Sequence, residues 1–287
     1  MKLLMKNKLS IIIAHYYPNT TDYKNPLVRT LDSINQDYIK NQNLEVIIAD
    51  DGSHYSKSIV NTYSKKIDIS NDIRSIYVLE DEKLSSFLDK HSMKYDFIKS
   101  WVYLPKLIKC MSKSRVLNHA SKLSSNEQLL FLDDDNYFIS QNSTDNVLAL
   151  FNEYDFIVGQ IKDNNGRFRQ FSSNRVQGTT IAIKKDILLS IEGFGEWTEE
   201  FSCGIDSDLW IKIYNYFNKH KTLKACYTNK ISTYDSHSKR WGKYTKIFKE
   251  WNMRIFFKEL YNCKNYKKAY YNPSRKKELW IENLINE

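Results

Sequence analysis

The sequence predicts an α/β protein with a doubly wound, mostly parallel sheet flanked by helices, a Rossmann-like arrangement. Two apolar runs, Leu9–Ala14 and Leu44–Ala49, are rich in isoleucine, which is typical of strands buried on both faces. Between them, apolar residues recur at helical spacing after Pro26, a residue that suits the first turn of a helix. Strand, helix and strand in this order predict a βαβ unit and therefore parallel pairing.

Further elements continue this alternation. The remaining predicted strands are apolar runs at Ile73–Glu80, Gln128–Asp133 and Val176–Ile183. The remaining predicted helices are the stretches Lys57–Ile67, Pro105–Leu123, one from about Asp206, and Trp241–Tyr261. Ligands of such sheets bind beyond the carboxyl ends of the strands. Functional residues are therefore expected directly after the strands.

Composition narrows the function classes without choosing one. The 287 residues are 41% hydrophobic, which suits a globular core. Lys and Arg number 43 against 34 for Asp and Glu, and the net charge of +9 suits a polyanionic partner: nucleic acid, an anionic membrane or a phosphorylated substrate. Four widely spaced cysteines form no CxxC pair, so a zinc site is not supported. The first residues do not read as a signal peptide, so reduced thiols and a cytoplasmic location are expected.

Two acidic clusters follow predicted strands, one starting at Asp50-Asp51 and the other at Asp133-Asp134-Asp135. Alternate residues of an extended chain share a face, so Asp133 and Asp135 should point together while Asp134 points elsewhere. Carboxylates on one face suit Mg²⁺ or Mn²⁺. The other pair could accept the N3–H of a uracil or thymine ring, or a ribose hydroxyl. Each cluster taken alone favours a polar turn.

Later parts of the sequence contain further candidate site residues, and each of them fits a structural role as well as a functional one. Asp206 and Asp208 stand at a predicted helix start, where acids cap the helix or, if a substrate hydroxyl reaches them, serve as a general base. His237 and Arg240 are three residues apart and suit a metal ligand and a diphosphate clamp, or a basic surface loop. Trp197 lies in a glycine-rich loop, which favours stacking on a sugar, whereas aromatic residues on helix faces are more often core.

The helix expected before the aspartate triplet has two basic residues, Lys113 and Arg115, and such a polar face is usually just solvated. Motifs of several other enzyme classes are absent. The sequence has no GxGxxG, GxxxxGK[ST], GxSxG or HExxH. Dinucleotide redox chemistry and a P-loop are therefore unsupported.

The order of the segments resembles the family-2 glycosyltransferases of the GT-A fold. The segments are LSIIIAHYYP, IIADDGS, SRVLNHA, LLFLDDDN, QGTTIAIKKDILLSIEGFGE and GIDSDLW, and they cover most of Leu9–Tyr216. FLDDDN and the block from GTTIAI to GIDSDL are the most specific parts. The family has a glutamate where this chain has Ile205, a departure that affects acceptor contacts and leaves the neighbouring Asp206 intact.

The resemblance implies an inverting, metal-dependent transferase that uses a nucleotide-sugar donor. The implied donor-binding residues are Asp50, Asp51, Arg115, Asp133, Asp134 and Arg240. The implied ligands of Mn²⁺ or Mg²⁺ are Asp133, Asp135 and His237. Asp206 would be the catalytic base, and the implied acceptor-binding residues are Glu196, Trp197 and Asp208.

The same resemblance sets the expected domains and partners. Residues 1–245 would form the GT-A domain, with a nucleotide-binding half at 1–136 and an acceptor-binding half at 137–245. Residues 246–287 would form a basic, aromatic, helical extension. The expected donor is a UDP-sugar, and the expected acceptor is a glycan or lipid-linked glycan. The basic tail, 264–287, would offer a peripheral contact with an anionic membrane.

Two other functions fit parts of the sequence. A nucleic-acid-binding protein would use the net charge and the tyrosine-rich basic tail. Three acidic clusters at one sheet edge and the absence of a nucleic-acid motif argue against it, so nucleic acid is not an expected partner. A metal-dependent nucleotidyltransferase would use the same fold and would release pyrophosphate instead of a nucleoside diphosphate.

Overall fold

The computed structural model describes residues 8–19, 24–38, 44–70, 72–107, 110–172, 175–236, 243–267 and 280–285, with side chains in the last long helix described from Lys249 onward. The strands within these ranges are β1 (Leu9–His15), β2 (Leu44–Asp50), β3 (Lys65–Asp68), β4 (Ser75–Leu79), β5 (Ile98–Tyr103), β6 (Gln128–Asp133), β7 (Asn136–Phe138), β8 (Phe156–Asp163), β9 (Ile181–Lys184), β10 (Ala225–Asp235) and β11 (Glu282–Asn283). The helices are α1 (Pro26–Tyr38), α2 (Ile59–Thr62), α3 (Asp81–Lys90), α4 (Lys113–Leu123), α5 (Ser143–Leu150), α6 (Lys185–Ser190), α7 (Thr198–Phe201), α8 (Ile205–Lys219) and α9 (Lys243–Tyr261).

One mixed sheet joins the strands in the order β11-β10-β8-β9-β6-β1-β2-β5-β4-β3, with β7 paired to β10. The centre is parallel, because β1 pairs in parallel with both β2 and β6, and β2 pairs in parallel with β5. On either side of this centre, β4 and β9 run antiparallel to their inner neighbours. The α/β architecture with a parallel sheet centre is therefore confirmed.

The central strands contain apolar residues on both faces of the sheet because helices cover both faces. Along β1, Ile11 and Ile13 belong to the core cluster beneath α1. Ile12 belongs to the cluster on the opposite face, which also contains Val116 and Leu117 of α4. A strand buried on both faces has consecutive apolar residues instead of an alternating pattern, which explains why Leu9–Ala14 and Leu44–Ala49 were predictable.

Three predicted elements differ from the structure. The stretch Lys57–Ile67 is not one helix: a 3₁₀ turn and the short α2 end at Thr62, and β3 begins at Lys65. Within Pro105–Leu123 the helix is confined to α4, and the strand predicted over Val176–Ile183 is confined to β9. Before β9, Thr180 has a φ of 56°, a left-handed conformation that ends an extended strand on that side.

Within the described residues, the C-terminal segment packs into the core, and the predicted domain boundary after residue 245 stays a prediction. Phe257 of α9, Tyr266 and Ile281 are fully buried in the cluster that also holds α8. The strand β11 pairs in parallel with β10. Residues 268–279 lie outside the described residues, so the predicted membrane contact of the basic tail stays a prediction.

None of the described helices has the length and apolar character needed to cross a membrane.

Candidate functional site

A cleft opens where the parallel strands end. Its inner part, about 200 Å³, is lined by the ends of β1, β2 and β6 and by the start of α4. The lining residues are Ala14, His15, Tyr16, Ala49, Asp51, Met111, Lys113 and Asp133 to Asp135. Tyr16 also borders a second cavity of about 540 Å³, and Asp135 borders a third of about 450 Å³. These cavities lie at the edge of the sheet where ligands of α/β proteins bind.

Asp51 faces this cleft from the end of β2. One carboxylate oxygen accepts a hydrogen bond from the backbone N–H of Ser112 at 3.0 Å, and the other accepts one from Lys106 Nζ at 2.5 Å. Burial raises the pKa of Asp51 to about 6, and the ammonium group of Lys106 limits that rise. Lys106 in turn lies over the ring of Tyr16, 4.2 Å from its centroid. Asp51 is thus a buried carboxylate beside an aromatic ring at the cleft wall.

Asp50 faces away from the cleft. Its carboxylate is fully buried and accepts the backbone N–H of Ser53 at 2.7 Å and the indole N–H of Trp101 at 3.0 Å. These contacts fix the turn that leaves β2, in which Gly52 has a φ of 83°. The base contact predicted for Asp50 stays a prediction, and the described contacts give it a structural position in the turn.

The aspartate triplet divides as the strand period predicts. Asp133 pairs with Lys113 across the cleft, and burial raises the pKa of Asp133 to about 6 against the opposing charge of Lys113. Asp134 turns inward and forms a buried pair with His15, with 2.6 Å between Asp134 Oδ2 and His15 Nδ1. The same oxygen accepts the backbone N–H of Tyr16 at 3.1 Å. Asp135 returns to the cleft side, close enough to Asp133 that its charge raises the pKa of that carboxyl further.

Asp206 lies beside the same group of charges. Burial raises the pKa of Asp206, while the charges of Lys113 and Arg169 oppose that rise. The charge of Asp206 also acts on Asp133, so the start of α8 and the end of β6 face each other across Lys113. Gly178 makes room for the Asp206 carboxylate: a Cβ at that position would lie 2.1 Å from Asp206 Oδ1. The predicted base is therefore held beside the cleft acids by a glycine of the preceding loop.

Asp208, two residues further along α8, is fully buried. Its carboxylate accepts the backbone N–H of Gly195 at 2.7 Å, the indole N–H of Trp197 at 2.8 Å and the hydroxyl of Tyr261 at 2.5 Å. Lys212 Nζ lies 3.0 Å away. This carboxylate ties the glycine-rich loop to α8 and α9, and no face of it is open to an acceptor in this structure.

The two predicted acceptor residues in the loop do not line the aspartate cleft. Trp197 packs against Phe201, Phe256 and Phe257, with its indole N–H on Asp208. It borders, together with Glu196, a separate cavity beside α4 and α6. The predicted acceptor contact of this pair stays a prediction, and the described contacts of Trp197 are those of an aromatic residue that anchors α9.

Arg115 lies on the side of α4 that faces this loop. Its guanidinium group contacts Glu196 at 2.8 Å and Glu199 at 3.0 Å. Arg74 joins the same group through Glu199, at 2.5 Å. Arg115 was predicted to bind the nucleotide-sugar donor. In the structure its charge is neutralised by the acids of the loop, and its predicted contact with the donor stays a prediction. His237 and Arg240, the predicted metal ligand and phosphate clamp, lie outside the described residues.

Sequence reasoning left several cleft residues unassigned. Lys113 was interpreted as a solvated helix residue, yet α4 begins at the sheet edge and its first residue therefore reaches Asp133. The signal that could have found it is position: a lysine at a helix start that directly follows a strand and its loop. Tyr16, His15 and Lys106 gave no such signal, because their partners are distant in sequence.

The described residues supply some, but not all, of the ligands that a divalent metal needs. Across these ranges, no group of three or more His, Cys, Asp or Glu side chains forms a complete metal site. Asp133 and Asp135 form a pair of hard oxygen donors on one side of the cleft. Mg²⁺ and Mn²⁺ are commonly held by one or two carboxylates and completed by water and substrate phosphates, so this donor set fits such an ion.

No protein-family model and no curated protein sequence matches the chain. Among solved structures, the chain resembles S. aureus TarS 1-349 in complex with UDP-GlcNAc, with 17% sequence identity and a TM-score of 0.53. The match covers 89% of this chain and 67% of that TarS chain. It also resembles a longer S. aureus TarS chain, with 16% sequence identity and a TM-score of 0.52. That match covers 95% of this chain and 46% of the longer TarS chain. The mannosyltransferase PcManGT from Pyrobaculum calidifontis, in complex with GDP-Man and Mn²⁺, matches with 15% identity, a TM-score of 0.50 and coverage of 81% and 58%.

The chain spans only part of the length of these structures: 67% of the TarS 1-349 chain, 58% of the PcManGT chain and 46% of the longer TarS chain. At these identities the likeness is one of architecture alone. The shared architecture is the mostly parallel central sheet with its flanking helices. The fold of this chain is the predicted GT-A fold.

Proposed function

We propose that this chain is an inverting glycosyltransferase that moves a sugar from a nucleotide-sugar donor to a hydroxyl of a glycan or lipid-linked glycan. The observation that supports it best is the meeting of Asp51, Asp133, Asp135, Lys113 and Asp206 at one end of the parallel strands. Neighbours with this fold bind UDP-GlcNAc or GDP-Man. The donor class is therefore proposed by analogy, and the residue roles are proposed from the cleft.

The base of the donor would lie near Asp51 and Tyr16. An ionised carboxylate accepts an N–H, which uracil presents at N3 and guanine presents at N1. The ring of Tyr16 offers an aromatic surface next to it. A UDP-sugar is the donor that we expect. Lys106 occupies one oxygen of Asp51 in the structure, so a bound base would share or replace this contact.

The diphosphate would lie between Lys113 and the two cleft aspartates. Lys113 brings a positive charge to a cleft that otherwise contains acids, and a lysine serves as a point charge for phosphate oxygens. Asp133 and Asp135 would hold Mn²⁺ or Mg²⁺, which would neutralise charge on the diphosphate as the glycosidic bond breaks. The predicted additional ligand, His237, and the predicted clamp, Arg240, belong to the same proposal.

Asp206 would act as the general base. The oxygen of the acceptor hydroxyl would form a bond to the anomeric carbon while its proton passes to Asp206. The bond from that carbon to the diphosphate would break, and its electron pair would leave with the nucleoside diphosphate. Attack from the side opposite the leaving group inverts the configuration. A pKa raised by burial makes Asp206 a stronger base than a solvated aspartate.

A donor panel tests the first half of this proposal. Thermal shifts are measured with UDP-, dTDP- and GDP-sugars, each with and without Mn²⁺, because a ligand that binds only the folded chain raises its apparent stability. A Mn²⁺-dependent shift with one nucleotide class, lost in Asp51→Ala and Asp135→Ala, supports the assignment. A flat panel for all donors contradicts it.

The reaction products test the second half. A glycosyltransferase releases nucleoside diphosphate, whereas a nucleotidyltransferase releases pyrophosphate. Turnover is followed by phosphorus NMR in two samples: one holds the nucleotide-sugar found in the panel with candidate acceptors, and the other holds the matching nucleoside triphosphate with a sugar 1-phosphate. Pyrophosphate as product would overturn the transferase assignment and retain the donor site.

A further inference from the structure

The residue before α4, Ser112, is bonded in an unusual way for a helix start. A serine in this position usually caps the helix, because its hydroxyl oxygen accepts a backbone N–H of the first turn. The Ser112 side chain makes no such bond. Ser112 is fully buried, and its hydroxyl donates to Glu199 Oε1 at 2.5 Å and accepts a hydrogen bond from Arg74 at 2.8 Å. Two segments that are distant in the sequence therefore hold this side chain.

The backbone of the same residue holds Asp51. The Ser112 N–H donates to Asp51 Oδ1 at 3.0 Å, whereas Asp51 Oδ2 accepts from the ammonium group of Lys106. The two donors differ in stiffness, because the N–H belongs to the backbone that continues into α4 and the ammonium group ends a flexible side chain. A ligand at Oδ2 can share or replace the lysine while Oδ1 stays bonded. Ser112 is thus the contact that sets the direction of the carboxylate.

The acid that holds the Ser112 hydroxyl is itself fixed in place. Glu199 is buried in α7, where it also contacts Arg74 at 2.5 Å and Arg115 at 3.0 Å. Burial would raise the pKa of Glu199, but hydrogen bonds from Ser112 and the two arginines hold it below its usual value. Arg74 is held in turn by Asp72 at 2.6 Å. Glu199 is therefore an ionised acceptor with a defined position.

The segment around α7 also holds the residue before Ser112. The Met111 N–H donates at 3.1 Å to the hydroxyl of Ser202, the residue that ends α7. Met111 and Lys113, on either side of Ser112 in the sequence, line the cleft. Residues 111–113 thus connect α7 to the cleft wall, and their alignment depends on contacts with α7.

We propose that Ser112, held by Glu199, positions the Asp51 carboxylate so that its second oxygen accepts the N–H of the donor base. This inference rests on the proposed function, because the nucleotide-sugar donor supplies the base. Ser112 is a positioning residue, since it acts through Asp51. A carboxylate that is fixed in direction favours a base with an N–H over one without it, because an unpaired buried acceptor is unfavourable.

The test compares the affinities of the full chain for UDP and for N3-methyl-UDP, both with Mn²⁺, by isothermal titration calorimetry. The methyl group removes the hydrogen that Asp51 would accept. The wild type should prefer UDP by at least about tenfold, as expected for a hydrogen bond to a charged group. Ser112→Ala keeps the backbone N–H but releases it from Glu199 and Arg74. It should lose most of this preference, through weaker binding of UDP.

Two matched controls remove the same groups from neighbouring positions. Ser114→Ala removes a buried hydroxyl from the first turn of α4, and Glu200→Gln neutralises the exposed acid next to Glu199. Both should keep the wild-type preference for UDP. Glu199→Gln should reduce it, and adding Ser112→Ala to Glu199→Gln should change little more if the two residues act in one chain of contacts. Equal melting temperatures of Ser112→Ala and Ser114→Ala would separate a lost position from a lost fold.

A second measurement needs no donor. Hydrogen exchange of the amide at position 112 should be faster in Ser112→Ala and in Glu199→Gln than in the wild type, because the bond from this amide to Asp51 is loosened. Exchange at this position should be unchanged in Glu200→Gln.

Three results would overturn the proposal. If the wild type binds UDP and Ser112→Ala keeps the full preference for it, Ser112 has no part in base recognition and the proposed function is untouched. Unchanged hydrogen exchange in both Ser112→Ala and Glu199→Gln would show that Glu199 does not hold this amide. A wild type that binds no UDP would refute the UDP donor and base recognition together, whatever the exchange at position 112 shows.

Discussion

The aspartate triplet at the end of β6 and the aspartate pair at the start of α8 both separate into acids near the cleft and a buried acid. The backbone geometry that separates them differs between the strand and the helix. In the triplet, the strand period of two sends Asp133 and Asp135 to the cleft and Asp134 inward to His15. In the pair, the helical period separates Asp206 from Asp208 by more than half a turn. Asp133 and Asp135 of the triplet and Asp206 of the pair lie near the cleft charges, while Asp134 and Asp208 are buried beside other partners.

The comparison shows that a row of acids is not one functional unit. Asp134 and Asp208 stabilise the positions of their neighbours, because each is buried and bonded to distant segments of the chain. Asp133 and Asp206 have pKa values raised by burial and lie near Lys113. A fully buried carboxylate held by partners from distant segments is a structural group, and a carboxylate beside the cleft whose pKa is raised by burial is a candidate for chemistry.

The sharpest test of the division is a pair of matched substitutions two residues apart. Asp206→Asn should lower kcat by about 10²- to 10⁴-fold, because the amide cannot accept the acceptor proton. The melting temperature and the donor-induced thermal shift should stay close to wild type. Steady-state kinetics with the donor in excess measures the effect. Full activity in Asp206→Asn would remove this residue from the role of base.

Asp208→Asn should act in the opposite way. The amide is uncharged and keeps only one acceptor oxygen, so its NH2 group faces one of the donors from Gly195, Trp197 and Tyr261, and the ion pair with Lys212 is lost. The expected loss in the free energy of unfolding is about 2–4 kcal/mol. Urea denaturation measures it. A large loss of activity at unchanged stability would instead place Asp208 in acceptor binding.

Gly178→Ala should weaken catalysis through Asp206. The new Cβ would collide with the carboxylate at 2.1 Å and displace it. We expect a fall in kcat of roughly 10- to 100-fold, since small misplacements of a reacting group cost that much. The control is the double variant Gly178→Ala/Asp206→Asn. If the glycine acts only through Asp206, the double variant is no slower than Asp206→Asn alone.

The smallest expected effect is a shift in the pH profile. Asp206 accepts a proton only when ionised, so activity should fall as the pH drops through its raised pKa. The charge of Arg169 opposes that rise, so Arg169→Met should move the acidic limb of kcat/KM toward higher pH. Arg167→Met, an exposed arginine two residues away, is the control. A limb that moves toward lower pH would contradict the assignment.

Local pattern was sufficient for the sheet centre and insufficient at its flanks. The strands β1, β2 and β6 each contain a run of four consecutive buried apolar residues because both faces of the sheet are covered, and few other elements have such a run. The edge strand β3 has largely exposed residues, and its sequence Lys65–Asp68 has no strand-specific alternation. Its pairing with β4 decides its structure, and that partner is not visible locally.

By itself, the sequence determined the α/β class, the acidic clusters at the strand ends and the split of the triplet into two faces. Each of these follows from chain periodicity or from strand direction, which are local properties. The tertiary structure alone decided that Arg115 faces the loop acids, that Lys113 faces Asp133 and that the C-terminal segment completes the core. Those contacts join residues that are tens to more than a hundred positions apart in the sequence. Such residues come close together only when the chain folds.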